Sequence, residues 1–253
     1  MSVSAIILAA GEGSRMKSPL PKPLHVVGTR SMLMHVVQSL QSTQLDTVVV
    51  VVGHRADEVT QHVRDHSPSW ANIAFATQNE QHGTGDAVTA GLTCLDTAAL
   101  ATTIIVLPGD TPLLTQETIN RLVSEHEASA HAATVLVSDI ADPTGYGRIV
   151  RTADGDVARI VEHRDASESE LNLSEINTGI YAFRAELLGP ALSQISTNNS
   201  QAEYYLTDVV AILTNAGHTV GAVLASEEET AGVNDREQLA AAELVMLNRS
   251  HRE

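Results

Sequence analysis

Short aliphatic runs recur along this chain, and most are followed by a stretch whose apolar residues fall three and four apart. VSAIIL (Val3 to Leu8), Val48 to Val52, Ile73 to Ala76 and Thr103 to Leu107 have strand length, and the longer runs are apolar enough to be buried on both sides. Between them, SMLMHVVQSLQS puts Met32, Leu33, Val36, Val37 and Leu40 on one helical face behind Ser31 as N-cap. RADEVTQHVRDH and TQETINRLVSEHEA also read as helices, and GTGDAVTAGLTCL as a loop entering one. This alternation predicts an α/β fold with a mainly parallel sheet. The middle third breaks the rhythm. AATVLVS, YGRIVRTADGDVARIVEH and TGIYAFR are strand-like, with Asp154-Gly155 a hairpin signal, and predict an antiparallel excursion over the α/β layer. YYLTDVVAILTNAG then predicts a helix stopped by Gly217, followed by a strand near Thr219 to Leu224 and a helix from Asp235 to about Asn248.

Composition narrows the partners. At 253 residues and 43% hydrophobic the chain can bury a sizeable core as one large domain. No aliphatic run approaches the roughly 18 to 20 residues of a membrane helix, and MSVSAIILAAG has no basic stretch of a secretory signal. The single cysteine, Cys94, excludes an internal disulfide and a multi-cysteine metal site, so a cytoplasmic setting is expected. With 15 basic against 31 acidic residues the net charge is −16, which argues against nucleic acid or an anionic membrane as partner. Both lysines of the chain, Lys17 and Lys22, fall with Arg15 inside GEGSRMKSPLPKPLH.

Open α/β sheets bind ligands outside the carboxyl ends of their strands, which directs attention to residues 9–25, 77–86 and 108–112. In the first of these loops, Gly11-x-Gly13 lacks the third Gly or Ala of a dinucleotide fingerprint, because position 16 is Met, and no Gly-Lys-Ser/Thr triplet occurs. What is left is a small-residue turn whose backbone N–H groups can face a phosphate, joined to Arg15 and Lys22. The second loop, from Gln78 to Gly85, offers amide side chains able to read a nucleobase edge, with Gly83 and Gly85 letting a ring approach the chain. The third puts Gly109 and Asp110 at the sheet edge, where one carboxylate suffices for a phosphate-bound Mg²⁺. His62 and His66 lie four apart on a helix without a third ligand and read as a solvated face, as does Glu227-Glu228-Glu229.

LAAGEGSRM followed by Pro21-Lys22 resembles the signature of sugar-1-phosphate nucleotidyltransferases. GTGDAV, GDTPLL, GYGRIV, IVEHRDA, EINTGIYAF, EYYLTDV and GVNDREQLA, in that order, resemble the uridylyltransferase half of the bacterial bifunctional UDP-N-acetylglucosamine pyrophosphorylases and glucosamine-1-phosphate acetyltransferases, over residues 5–240. The resemblance implies a Rossmann-like nucleotidyltransferase fold with a mainly parallel mixed sheet and an antiparallel sugar-binding excursion. It implies transfer of UMP from UTP to N-acetylglucosamine-1-phosphate with Mg²⁺, yielding UDP-N-acetylglucosamine and pyrophosphate. By the same resemblance Leu8, Ala9, Ala10 and Gly11, with Gly13 and Gly109, hold the nucleotide; Arg15 and Lys22 meet the triphosphate; and Gln78 with Gly83 and Thr84 meets the uracil. Asp110 and Asn234 fall on metal ligands, and Gly147, Glu162 and Asn177 on sugar-phosphate contacts. Pro23 after the lysine and Glu12 inside the loop depart from the family pattern. Alternative readings are another sugar-1-phosphate nucleotidyltransferase, such as one pairing dTTP with glucose-1-phosphate, and a non-catalytic sugar-nucleotide sensor.

Residues 1–230 are then expected to form the nucleotidyltransferase domain. Residues 231–253 are expected to begin the linker to an acetyltransferase domain for which this sequence holds no hexapeptide repeat. A chain without that domain is expected to lack acetyltransferase activity and to be a monomer or weak dimer. In the terminal helix Leu239, Leu244 and Leu247 are expected to rest on the sheet domain, with Arg249, His251 and Arg252 solvated.

Overall fold

The computed structural model describes residues 2–95 and 102–250. Its strands are β1 (Val3–Leu8), β2 (Val26–Val27), β3 (Arg30–Ser31), β4 (Leu45–Val52), β5 (Ile73–Thr77), β6 (Thr103–Pro108), β7 (Ala133–Asp139), β8 (Arg148–Arg151), β9 (Val157–Val161), β10 (Glu175–Arg184) and β11 (Val220–Leu224). Its helices are α1 (Met32–Ser39), α2 (Ala56–His66), α3 (Thr84–Leu92), α4 (Gln116–Ser129), α5 (Glu168–Leu171), α6 (Ala185–Leu192), α7 (Asp208–Asn215), α8 (Glu227–Thr230) and α9 (Arg236–Ser250). The main sheet runs β11-β7-β10-β6-β1-β4-β5, and β2 with β3 forms a small ribbon.

Strands β6, β1, β4 and β5 are mutually parallel, so their carboxyl ends open at one edge. Alternate residues feed opposite layers, as the two-residue strand period requires. Ile6, Val49, Val51, Ile104 and Val106 join Val88, Leu188, Val209 and Leu213 from α3, α6 and α7. Ala5, Ile7, Val48, Val50, Ile105 and Leu107 join Leu33, Val36, Val63, Ile119 and Leu122 from α1, α2 and α4. Helices thus cover both faces, which explains why these strands read as unbroken apolar runs.

Four expectations need correction. First, AATVLVS and TGIYAFR do not lie over the α/β layer: they are β7 and β10, inside the main sheet, with β10 antiparallel to both neighbours. The β8–β9 hairpin branches off the linear strand order, joined to β10 at Arg148 and Ile176, and Gly155 turns it with φ 96°. Second, the helix expected from Tyr204 begins at Asp208. The Tyr204 and Leu206 N–H groups are committed to the carbonyl of His82 and the hydroxyl of Thr84, so the helix cannot start before the turn at Leu206 and Thr207 that leads into it. Third, Glu227-Glu228-Glu229 is not a free surface run. It forms α8 behind the Ser226 cap, where Glu229 accepts the hydroxyls of Thr115 and Thr118 and Glu228 pairs with Arg249.

Fourth, α9 docks through Leu239, Ala242, Val245 and Met246 onto Val27, Met32 and Leu113, while Leu244 and Leu247 face outward. Residues three and four apart share a helical face, and positions 239, 242 and 246 obey that spacing where 244 does not. Arg249 is not simply solvated either, since its guanidinium donates to the Leu113 carbonyl. His251 and Arg252 lie outside the described residues. Helix α6 goes unseen in the sequence because Pro190 sits within it and reads as a break.

Candidate active site

The carboxyl edge of the parallel strands is laced together by main-chain hydrogen bonds. The Ala9 N–H donates to Val51, Gly109 to Leu8, Gln78 to Val52 and His54 to Ala10. These bonds fix the start of all three loops picked out in the sequence. Between them opens a cleft of about 300 Å³, lined by Leu8, Ala9, Ala10, Gly11, Lys22, Pro23, Gln78, Gln81, Gly83, Thr84, Ala87, Pro108, Gly109, Asp110 and Glu203. A Cβ added to Gly11 would meet nothing within 4 Å, so its bare backbone faces open space. Gly13 has a different reason. Its φ is 67°, and an added Cβ would lie 2.4 Å from the Cβ of Lys22, so the glycine lets the lysine pack against the loop.

Four polar side chains separated by up to 219 positions meet at the cleft mouth. The Lys22 ammonium pairs with the Asp110 carboxylate and donates to Asn234 Oδ1 at 2.7 Å. Arg15 Nη2 donates to the same oxygen at 3.0 Å. The Val233 N–H donates to the Asp110 carbonyl at 2.9 Å, which fixes the approach of the 232–236 segment. The Asp110 and Asn234 oxygens therefore converge on one positive centre, the Lys22 ammonium. Two hard oxygen donors around one cation match what Mg²⁺ takes from a protein when phosphates and water complete its shell. Among the described residues no three His, Cys, Asp or Glu side chains gather as a metal cluster. His62 and His66 stack on each other, with His62 Nε2 2.9 Å from Ser31 Oγ.

Gln78 is buried, and its Nε2 donates to the Gly83 carbonyl at 3.1 Å and the Asp86 carboxylate at 2.8 Å. Both partners only accept, so the amide has one orientation and its Oε1 remains an acceptor. The glycines nearby are also required by the chain itself. A Cβ on Gly83 would sit 2.6 Å from the Tyr204 carbonyl, and one on Gly85 would sit 2.4 Å from Ile195 Cδ1. They make room for residues 195 and 204 of this chain, whatever a bound ring requires. Glu203 and Gln81 belong to the cleft without having been singled out. Gln81 Nε2 donates to the Ala10 carbonyl, and only the segment threading past residue 83 brings Glu203 there, which no local motif encodes.

The remaining predicted residues do not line this cleft. Gly147 and Asn177 are joined by the Asn177 N–H to the Gly147 carbonyl at 2.9 Å, and the Asn177 Oδ1 accepts the Gly179 N–H at 3.1 Å. Glu162 lines a separate cavity of about 290 Å³ with Asp165, Asn198, Asn199, Tyr205, Thr207 and Asp208. Burial pushes the Glu162 carboxyl above its ordinary value, the Thr207 hydroxyl opposes that at 3.0 Å, and the charges of Asp165, Asp208 and Glu203 reinforce it. The segment 203–207 is common to both spaces, with Glu203 in the cleft and Tyr205 and Thr207 in the cavity.

Residues 4–229 match the Nucleotidyl transferase family. The chain is similar to proteins named Bifunctional protein GlmU, being 46% identical over 245 residues to that of Clostridium beijerinckii and 48% identical over 248 residues to that of Streptomyces avermitilis. In each case 97% of this chain aligns with 52% and 51% of the relative, so the chain spans about half the length of the curated relatives it matches. Among solved structures it superimposes on UDP-glucose pyrophosphorylase complexed with UDP-glucose, with TM-score 0.78, 13% identity and coverage of 98% and 100% of the two chains. HddC from Yersinia pseudotuberculosis complexed with GMP-PN gives TM-score 0.69, 18% identity and coverage of 96% and 99%. The expected Rossmann-like nucleotidyltransferase fold is thereby established.

Proposed function

The chain belongs to the nucleotidyl transferase family, and from that premise we propose that it transfers UMP from UTP to N-acetylglucosamine-1-phosphate, releasing pyrophosphate and UDP-N-acetylglucosamine. The observation that carries this reading is the meeting of Arg15, Lys22, Asp110 and Asn234 beside a bare glycine loop. Both substrates are polyanions, so the work lies in overcoming repulsion and aligning the sugar phosphate oxygen with the α-phosphorus. Holding two reactants in attack geometry removes roughly 7 to 11 kcal/mol of barrier. Arg15 and Lys22 supply positive charge where the α-phosphate and pyrophosphate carry theirs. The net charge of −16 does not prevent this, because screening limits distant carboxylates to about 8 Å at physiological salt. Asp110 and Asn234 would hold Mg²⁺, which when bound neutralises phosphate charge.

Gln78 supports the choice of base. Its fixed acceptor oxygen suits an imide N–H, which uracil offers and cytosine lacks at that edge. The similarity to proteins named GlmU supports the sugar, with Gly147, Glu162 and Asn177 as its contacts. Thymine carries the same imide N–H, so a thymidylyl transfer is the second reading. Pyrophosphate release from UTP and N-acetylglucosamine-1-phosphate with Mg²⁺ is expected, and its absence sinks the proposal. Faster release from dTTP with glucose-1-phosphate favours the second reading.

A further inference from the structure

We propose that Arg236 is a positioning residue that clamps the turn carrying Arg15, so that the docking of α9 holds the phosphate-facing loop in its working shape. The functional part of this inference rests on the reading of Arg15 given above. Arg236 Nε donates to the Met16 carbonyl at 3.0 Å and Nη2 to the Lys17 carbonyl at 2.6 Å. Those carbonyls close the single 3₁₀ turn Ser14–Met16, where the last acceptors of a helix end have no partner of their own. Lys17 sits there in the left-handed region with φ 48°, a conformation that a lysine holds only where its surroundings fix it. Among the described residues Arg236 makes no ion pair with any carboxylate, so its guanidinium is committed to this turn.

The clamp has a rigid base. Asp235 Oδ1 accepts the Glu237 and Gln238 N–H groups, Gln238 Oε1 accepts the Asn234 N–H, and Leu239 and Ala242 seat α9 on Val27, Met32 and Leu113. The five residues 232–236 thus grip the loop twice. Asn234 takes the Arg15 side chain, and Arg236 takes the backbone one and two residues beyond it. Arg236 is itself exposed, and its truncation opens no core cavity.

The test combines amide hydrogen exchange with a double-mutant cycle on the full chain. In Arg236→Ala the Met16 and Lys17 amides, which donate to Gly13 and Ser14, are expected to exchange at least about tenfold faster, while sheet amides keep their rates. The kcat/KM for UTP is expected to fall about tenfold with an unchanged melting temperature, and Arg236→Lys to recover part of the loss. Because Arg236 acts through Arg15, the double variant R15A/R236A is expected to be no slower than R15A alone, to within about threefold. Unchanged exchange at Met16 and Lys17 overturns the clamp whatever the enzyme does. Losses that multiply in the double variant overturn the route through Arg15. If the wild-type chain shows no uridylyl transfer, the proposed function falls, and the exchange rates alone still decide whether Arg236 holds the turn.

Discussion

On the cleft side the wall is main chain and small residues from Leu8 to Gly11 and Gly109, and its charge is delivered by Lys22 and Arg15. On the cavity side the wall is made of single polar side chains, Glu162, Asp165 and Asp208 among them, and the nearby Arg159 is already paired with Glu170. The first arrangement suits phosphates, which take backbone N–H groups and cations from any sequence that supplies a tight turn. The second suits hydroxyl and amide groups, which need acceptors placed one by one. It carries a cost in stability, because burial and the neighbouring charges of Asp165, Asp208 and Glu203 disfavour the ionised Glu162 carboxyl.

The largest effect should come from breaking the cationic side. Lys22→Ala and Asp110→Ala are each expected to lower turnover by about 10²- to 10⁴-fold, since the first removes positive charge from where phosphate charge develops and the second removes a carboxylate that would hold the Mg²⁺. Both residues sit on loops rather than in the core, so thermal melts should stay within about 3 °C of the parent. Unfolding of either variant, or near-parental pyrophosphate release, would remove its residue from the machinery.

This contrast also governs what the sequence discloses. The parallel strands, α1 with its Ser31 cap, and the glycine loop with its two lysines are local signals, and each stands where its pattern puts it. Arg15, Lys22 and Asp110 are legible as cations and a carboxylate at strand ends. Asn234 is not, because an asparagine 212 positions from Lys22 becomes a partner only through the path of α8 and α9. Glu162 and Asn177 are visible only through family resemblance, since an isolated Glu or Asn on a strand carries no periodic signal. The central place of β10 is hidden for a similar reason: strand pattern shows that a segment is extended and leaves its neighbours open. Gly83 and Gly85 had a visible motif but a concealed cause, the backbone of Tyr204.

Breaking the acidic side should have a smaller effect confined to one substrate. Glu162→Gln keeps an acceptor for Thr207 but removes a charge that burial disfavours. KM for the sugar phosphate is expected to rise about 10- to 100-fold, as for loss of a hydrogen bond to a charged group, with KM for UTP unchanged. The linked stability effect has a definite sign. A carboxyl held above its ordinary value favours folding while protonated, and that contribution is lost as pH rises from the ordinary Glu range through the folded value. At neutral pH the Gln variant should therefore melt higher by about 2 °C, a gain that disappears toward the ordinary Glu range near pH 4. A lower melting temperature at neutral pH would show that Glu162 is stabilising and that the two sides do not differ as argued.

Smaller again is the effect of blunting base choice on the cleft side. Gln78→Ala removes the one oriented acceptor, and loss of such a bond costs about 1 to 3 kcal/mol. The preference for UTP over CTP is expected to shrink about tenfold, mostly through slower reaction with UTP. Equal losses with both nucleotides would mean that Gln78 supports the loop through Asp86 and Gly83 without reading the base.

The smallest change sharpens the comparison most. Thr207 is buried and donates its hydroxyl to Glu162 Oε1, the one interaction named here that favours the charged form of that carboxyl against burial and its acidic neighbours. Thr207→Val preserves shape and deletes the donor. With that donor gone the Glu162 carboxyl should move further up, and the acid limb of kcat/KM for the sugar phosphate should shift to higher pH by less than about one unit. Turnover on the plateau should change by no more than about threefold, and the pH dependence measured with UTP varied at saturating sugar phosphate should not move. Stability should fall by about 1 kcal/mol, the usual loss for one buried hydrogen bond. The pH profile separates this from simple loosening of α7: loosening lowers activity at every pH, whereas loss of the donor displaces one limb. A displacement toward acid, or an equal displacement for both substrates, would show that Glu162 does not titrate on the sugar side alone.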